Sequence, residues 1–337
     1  MRNFQSPANS SSPAILALRN FTSQWFLVPQ GTGILAVVLH QLLYQFNGLT
    51  VIADILWILT IVLLLVTLFV YILRIILFPK VIVHALASQN TELSCLASIV
   101  ISFTLIIVMM DLSLVHVWGP SWGKAAYVLW WINTALAVIA CVGIPYLLVK
   151  YEPPGVVGLG PAVNLPLIAA LTTATGGGVI CRYGALDESL QIPVIIVSYL
   201  LIGMALPLAL GFGTVFLARL LDNESPTGMN LYQDMILCGP WGQGSFALQI
   251  LGSVVMRGSF AKYARGIFLT VDAAKPVGYA SIFMGLLAWG QGTFWWAFAI
   301  ISILHSGFNK RAQWKGLKFG LSAWSLVFPW VSAIYHA

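Results

Sequence analysis

Four stretches of the sequence place proline, glycine and small polar side chains within apolar surroundings. The sequence reads VPQGTG from Val28, LPLIAALTTATGGG from Leu165, CGPWGQGSFALQ from Cys238 and FGLSAWSLVFPW from Phe319. Hydroxyl, amide and peptide N–H groups donate hydrogen bonds without carrying charge, so they can hold a small anion weakly and release it. These residue types favour a selective pathway rather than a covalent reaction.

Other kinds of chemistry lack the residues they need. The five histidines are isolated, the four cysteines occur singly, and the sequence has no phosphate-binding loop of the GxxxxGK[ST] type. Asp111 and Asp234 stand at the ends of apolar segments, where we expect headgroup-level positions. We therefore predict no catalytic residue, no metal and no cofactor. A membrane-embedded enzyme stays as a rival of a different class, although no nucleophile and base at catalytic spacing support it.

The composition of the whole chain indicates the environment, water or membrane, in which these stretches lie. Of 337 residues, 59% are hydrophobic and only 8% are charged, with a mean hydropathy of +0.92. Soluble domains carry about 25% charged residues, so this chain cannot cover a surface that faces water. The net charge of +6 is spread over loops, and the lack of a clustered basic face excludes nucleic-acid binding. The chain is predicted to be an all-α membrane protein whose partner is the lipid bilayer.

Charged residues divide the chain into nine uncharged segments, and a membrane helix needs about 20 apolar residues. Residues 1–20 are polar and predict a cytosolic N-terminal tail, while residues 21–337 form a single transmembrane domain. The predicted spans are about 21–43, 50–78, 93–115, 122–150, 163–181, 190–221, 232–256, 275–307 and 316–336.

Smooth and interrupted spans alternate. The second and fourth are apolar throughout, whereas the first, fifth, seventh and ninth contain proline and glycine; the third is smooth despite its odd number. Proline and glycine free backbone polar groups that protein or water must satisfy. We expect interrupted helices inside the bundle beside a cavity and smooth helices facing lipid, in hairpins repeated every 70–80 residues or so. The open alternative is that glycine and proline only help helices to pack.

The distribution of lysine and arginine predicts the orientation. With the N-terminus in the cytosol, the cytosolic segments hold ten of these residues and the outer loops hold six. Nine spans then leave Ala337 outside directly after a helix. An even number of spans would avoid this, so we expect that a tenth helix is missing.

Helix ends and hydroxyl groups in the interrupted spans favour anions. Gly33, Gly177 and Gly244 are expected to approach the pore axis with no side chain between backbone and ion. An inside-negative membrane potential drives an anion outward by about 2.3 kcal/mol per 100 mV, so export needs only an open path. The residues predicted to line this path are Pro29, Gly31, Thr32, Gly33, Thr172, Thr175, Gly177, Gly242, Gln243, Gly244, Ser245 and Ser322.

Four motifs, in order over nearly the whole chain, resemble the tellurite-resistance/dicarboxylate transporter family. They are WFLVPQGTGI at 25–34, LPLIAALTTATGGG at 165–178, GPWGQGSFALQ at 239–249 and AWSLVFPW at 323–330. The seventh span is most similar to the fungal sulfite exporters of that family. The resemblance implies ten helices in five hairpins around a pseudo-fivefold axis, with odd-numbered helices around a central pore and usually a homotrimer. The missing tenth helix is a departure from this pattern.

The resemblance also implies that a phenylalanine of the ninth helix gates the pore. Counting back from Phe328-Pro329, Phe319 matches that position. Because Phe319 adjoins Lys318, near the cytosolic end, Phe328 is the reserve candidate. A role in packing is the alternative for either aromatic.

The expected function is anion export across the plasma membrane by a channel-like or uniport path, with sulfite or bisulfite as the substrate. A malate or C4-dicarboxylate permease is the alternative, but its doubly charged substrate would favour a fixed lysine or arginine in the path, which no span interior has. Arg257, Lys262 and Arg265 predict a cationic outer vestibule, against the alternative of ordinary headgroup-binding charges.

Overall fold

The protein is built from helices. The computed structural model describes residues 12–151, 160–222, 228–260, 266, 269–309 and 320–329. The all-α fold that the composition predicts is confirmed for this part of the chain. Its helices are α1 Pro13–Arg19, α2 Leu27–Gln41, α3 Leu49–Leu77, α4 Pro79–Ser88, α5 Asn90–Trp118, α6 Ser121–Lys150, α7 Leu165–Tyr183, α8 Glu188–Leu221, α9 Gly239–Val254 and α10 Val271–Asn309.

The interrupted segments begin with 3-10 turns. Such turns cover Ser23–Phe26 before α2, Pro161–Asn164 before α7, Gly228–Cys238 before α9, and Leu321–Leu326. The prolines of α2, α7 and α9 lie within the first three residues of each helix, where a missing N–H costs no helical hydrogen bond. The glycines of α7 and α9 lie inside continuous α-helix. The breaks are therefore at the helix starts and not in the middle of the predicted spans.

Burial separates an inner from an outer set of helices. Within the most apolar 18-residue stretch of each helix, the buried share of residues is 100% for Pro161–Tyr183 and 78% for α5. It is 22% for α3 and α10 and 39% for α6 and α8. Helix α9 buries 13 of its 16 residues. Helix α5 is thus inner in spite of its smooth sequence, because its buried Ser98, Ser102 and Thr104 are small enough for neighbouring helices to approach closely.

The inner elements contact one another in a closed order. Helix α2 packs on α5, α5 on α7, and α7 on α9; the Leu321–Leu326 turn packs on the turn before α9 and also on α2. Each long outer helix packs on the inner helix that precedes it in sequence: α3 on α2, α6 on α5, α8 on α7 and α10 on α9. The order of contacts follows helical hairpins arranged side by side, while the pseudo-fivefold symmetry itself stays a prediction.

Candidate functional site

A cavity lies where the inner elements begin, and we call it the central cavity. Its volume is about 10 Å³, which is roughly enough for one water molecule, and none of the described residues that line it is charged. All five inner elements contribute, namely Gln24 and Leu27 at α2, Thr91 and Cys95 in α5, Ala162 and Leu165 at α7, Gln233 and Ile236 before α9, and Ser325.

Helix starts give the central cavity its electrostatic character. The 3-10 turns beside it continue directly into α2, α7 and α9, which have no side-chain cap. The Leu27 and Leu165 N–H groups donate to backbone carbonyls of those turns, so the helix dipoles, and not free N–H groups, act on the cavity. A helix start carries the equivalent of roughly half a positive charge. An uncharged cavity beside several helix starts attracts anions without binding them tightly.

Two of the predicted pore-lining threonines lie on the inner side of α7. Thr172 follows Leu165 by seven residues, which is about two turns, so both lie on the same face of the helix. The Thr172 hydroxyl donates to the Ile168 carbonyl at 2.8 Å. The Thr175 hydroxyl donates to the Gln243 carbonyl at 3.1 Å and joins α7 to α9. Thr172 therefore lies on the same face of α7 as the cavity residue Leu165, about two turns further along the helix.

Helix α9 turns Ser245 away from the inner side. The Ser245 hydroxyl donates to the Gly285 carbonyl of outer helix α10 at 2.8 Å and accepts from Gln249 Nε2 at 2.9 Å. This hydroxyl completes a contact between α9 and α10, and the place of Ser245 along the path stays a prediction. Gln243 is only 2% exposed and lies about 160° around the helix from Ser245, on the side away from α10.

Helix α2 likewise directs Thr32 toward an outer helix. The Thr32 hydroxyl donates to the Val28 carbonyl at 3.1 Å and accepts from Thr60 of α3 at 3.2 Å. This hydroxyl joins α2 to α3, and the assignment of Thr32 to the lining stays a prediction. Pro29 is buried in the first turn, and Gly31 faces the ninth segment, where an added Cβ would stand 3.0 Å from the Trp324 ring.

The three glycines expected nearest the axis face neighbouring helices. An added Cβ at Gly33 would stand 3.1 Å from both Leu105 and Thr60, and one at Gly244 would stand 2.9 Å from Leu206. At Gly177 it would collide with the Ser198 hydroxyl and stand 2.9 Å from the Trp130 ring. These contacts favour the packing alternative for all three glycines. Gly242 stays a predicted lining residue.

Of the two candidate gates, only Phe328 lies within the described residues. It is 2% exposed and belongs to one apolar cluster with Leu27, Ile168 and Ile236, which come from or precede α2, α7 and α9. Phe328 therefore packs between inner elements beside the central cavity, three residues after Ser325. Phe319 lies outside the described residues, as does the side chain of Ser322.

A buried ion-pair cluster near the central cavity escaped the sequence analysis. Arg74 Nη1 contacts Glu92 Oε1 at 2.7 Å, with side-chain exposures of 5% and 2%. The Ser23 N–H and hydroxyl donate to Glu92 Oε2 at 3.0 and 3.1 Å, Tyr71 donates to Oε1 at 3.3 Å, and Arg74 Nε donates to the Arg19 carbonyl at 3.1 Å. Ser23 and Glu92 directly adjoin the cavity residues Gln24 and Thr91. Arg74 and Glu92 both lie at the ends of apolar spans, and this placement is the sequence signal from which the pair could have been predicted.

Gln30 is a second residue that the sequence analysis missed, although it lies inside the VPQGTG motif. Its side chain is 2% exposed, and its Oε1 has no hydrogen-bond partner among the described residues. A buried polar atom without a partner costs about 1–3 kcal/mol. An unfilled hydrogen-bonding position therefore lies one turn into α2.

The far ends of α7 and α9 carry the basic residues. Arg257 is exposed and lines a polar cavity together with Arg182 and the acidic Glu188. Lys262 and Arg265, the other predicted vestibule residues, lie outside the described residues. Asp111, expected at the headgroup level, is fully buried, because a π-helical turn at Met110–Leu114 directs it against Gly184.

The fold and the site together define a multi-pass α-helical membrane transport protein with an uncharged cavity among its inner helices. Residues 20–335 match the family described as voltage-dependent anion channel. The chain belongs to this family, and the resemblance drawn from the four motifs is confirmed. It is accordingly an anion transport protein rather than an enzyme.

Its relatives are named as transporters. The chain is 30% identical to a protein named sulfite efflux pump SSU1 from Arthroderma benhamiae over 310 residues, which cover 92% of this chain and 81% of the relative. A protein of the same name from Trichophyton rubrum has the same identity and coverage. The malic acid transport protein of Schizosaccharomyces pombe is 23% identical over 94% of this chain and 70% of its own length.

Proposed function

We propose that this protein exports sulfite across the plasma membrane by a channel-like or uniport path. The observation that carries the proposal is the uncharged central cavity at the starts of all five inner elements. Helix starts attract an anion there, and the absence of a fixed cation in the described lining allows it to leave again. Two relatives at 30% identity that are named sulfite efflux pumps support the choice of substrate.

Malate or another C4-dicarboxylate is the second candidate, because one relative is named a malic acid transport protein. A dicarboxylate carries two charges and is bulky, so a site for it favours a fixed arginine or lysine. The nine residues that line the central cavity include neither. The lining therefore supports a small anion over a dicarboxylate.

We propose the following path for the anion. It enters at the central cavity and passes Thr172, Thr175, Gly242 and Gln243 on the inner sides of α7 and α9. Phe328 closes the path. If the gate instead lies at the position that matches the gating phenylalanine of the family, Phe319 closes it. Beyond the far ends of these helices, Arg257 with Lys262 and Arg265 forms a cationic vestibule that lowers the barrier to exit.

The assembly follows the family. We propose a pseudo-fivefold arrangement of the inner elements and a homotrimer. The N-terminus lies in the cytosol, so the central cavity lies at the cytosolic end of the path, where sulfite enters. The order of contacts among the inner elements supports the symmetry, and the distribution of lysine and arginine supports the orientation.

Flux measurements with purified protein in lipid vesicles test this function. Sulfite, malate, nitrate and chloride are loaded in turn, and their release is compared with that from protein-free vesicles. We expect sulfite release to exceed malate release clearly. Faster release of malate would overturn the sulfite assignment in favour of the dicarboxylate.

A further inference from the structure

Gln30 lies on the inner face of α2. It follows Leu27 by three residues and precedes Ile34 by four, so the three side chains share one face of the helix. Leu27 lines the central cavity, and Leu27 and Ile34 both belong to the apolar cluster that contains Phe328. Thr32 on the opposite side contacts α3. The Gln30 amide is therefore embedded about one turn beyond the cavity.

The oxygen of this amide lacks a hydrogen-bond donor among the described residues. Its side chain is 98% buried, and no described residue donates a hydrogen bond to its Oε1. The other polar groups of this stretch are engaged, since the Thr32 hydroxyl donates to the backbone and accepts from Thr60. A buried amide that lacks a protein partner, close to the start of a 15-residue helix, indicates a position for a polar ligand.

We propose that Gln30 binds the transported anion and selects an oxyanion that still carries a proton. A terminal amide offers one acceptor oxygen and two N–H donors side by side. Hydrogensulfite presents an O–H and a charged oxygen on one sulfur, so it can pair with both parts of the amide at once. Chloride and nitrate have no O–H and leave Oε1 without a donor. This inference rests on the proposed function and names the protonation state of its substrate.

The variant Gln30→Met tests the proposal, because methionine has a similar length but forms no comparable hydrogen bond. Sulfite and chloride fluxes are measured in vesicles with equal amounts of inserted protein. We expect the sulfite-to-chloride flux ratio to fall roughly tenfold, the value of one lost hydrogen bond. The matched control is Gln249→Met, whose amide donates to Ser245 on the outer side of α9 and which should leave the ratio unchanged.

The pH profile supplies a reading that a purely structural role would not change. Alkaline buffer removes the proton of hydrogensulfite, so wild-type sulfite flux should fall from mildly acidic to mildly alkaline buffer, while chloride flux stays constant. Gln30→Met should flatten that fall. A Gln30→Asn variant keeps the amide and should retain part of the preference, and it provides the answer if the methionine variant does not insert.

The outcomes separate this inference from the proposed function. A wild-type protein that releases chloride but no sulfite contradicts both. Wild-type sulfite release together with an unchanged flux ratio and pH profile in Gln30→Met contradicts only the role of Gln30. The latter result would mean that the amide binds water and takes no part in selection.

Discussion

At the scale of single residues, Phe328 has two possible roles that one experiment distinguishes. Its 2% exposure and its apolar neighbours fit a packing residue, while its place between inner elements beside the central cavity fits a gate. A gate works by filling the path and excluding water. A packing residue works by filling a core that would otherwise contain a void.

Replacing Phe328 by alanine should increase resting sulfite leak in vesicles, because the aromatic ring no longer blocks the path. Phe216→Ala is the matched control, since Phe216 is buried at 7% exposure on outer helix α8 and does not line the central cavity. Loss of a packing phenylalanine costs about 3–5 kcal/mol in soluble cores, so the control should lower the melting temperature without leak. If Phe328→Ala lowers the melting temperature and does not leak, Phe328 is a packing residue.

At the scale of helices, glycines of the inner set permit close contact with neighbouring helices. Gly177→Ala should lower the melting temperature and the yield of inserted protein, because the added methyl group collides with Ser198 of α8 and approaches Trp130 of α6. Gly203→Ala on the outer helix α8 is the control, since nothing lies within 4 Å of its added Cβ. Normal stability of Gly177→Ala with reduced flux would restore the original assignment of this glycine to the pore lining.

The buried ion-pair cluster joins α3 and α5 to the turn before α2. Glu92→Gln or Arg74→Met alone leaves one buried charge without its partner, so each should destabilise the protein by about 3–5 kcal/mol. The double variant contains no unpaired charge and should recover much of that loss. Thermal unfolding in detergent measures all three. Equal loss in the single variants with no recovery in the double one would show that the hydrogen bonds from Ser23 and Tyr71 matter more than the ion pair.

Sequence patterns predicted the helices better than the faces they present. Apolar runs and charge spacing suffice for an all-α membrane fold, because length and hydropathy decide whether a helix fits the bilayer. Which way Ser245 or Thr32 points depends on the rotation of each helix, and that rotation is set by contacts with α10 and α3 that the sequence does not display. The Arg74–Glu92 pair stayed hidden for a related reason, since its members lie 18 positions apart in the sequence and on two different helices.

For the molecule as a whole, the decisive property is whether transport moves net charge. An uncharged cavity beside helix starts binds an anion without a compensating cation, so each transported anion carries its charge across. Helix α5 buries two carboxylates, Asp111 and Glu92, and Glu92 is paired with Arg74. The described residues that line the central cavity include no carboxylate that could bind and release a proton there. The proposed uniport is therefore expected to be electrogenic.

Vesicles with a potassium gradient and valinomycin test this at the level of the intact protein. A potential of 100 mV, negative inside, adds about 2.3 kcal/mol to the outward driving force on one negative charge. That corresponds to roughly a 50-fold difference in anion concentration at equilibrium. Sulfite loaded inside should thus leave faster and more completely when the potential is imposed, and should be retained when its sign is reversed. A rate that ignores the potential but follows a proton gradient would contradict uniport, because it would show that a proton accompanies each anion, and Asp111→Asn would then be the next variant to measure.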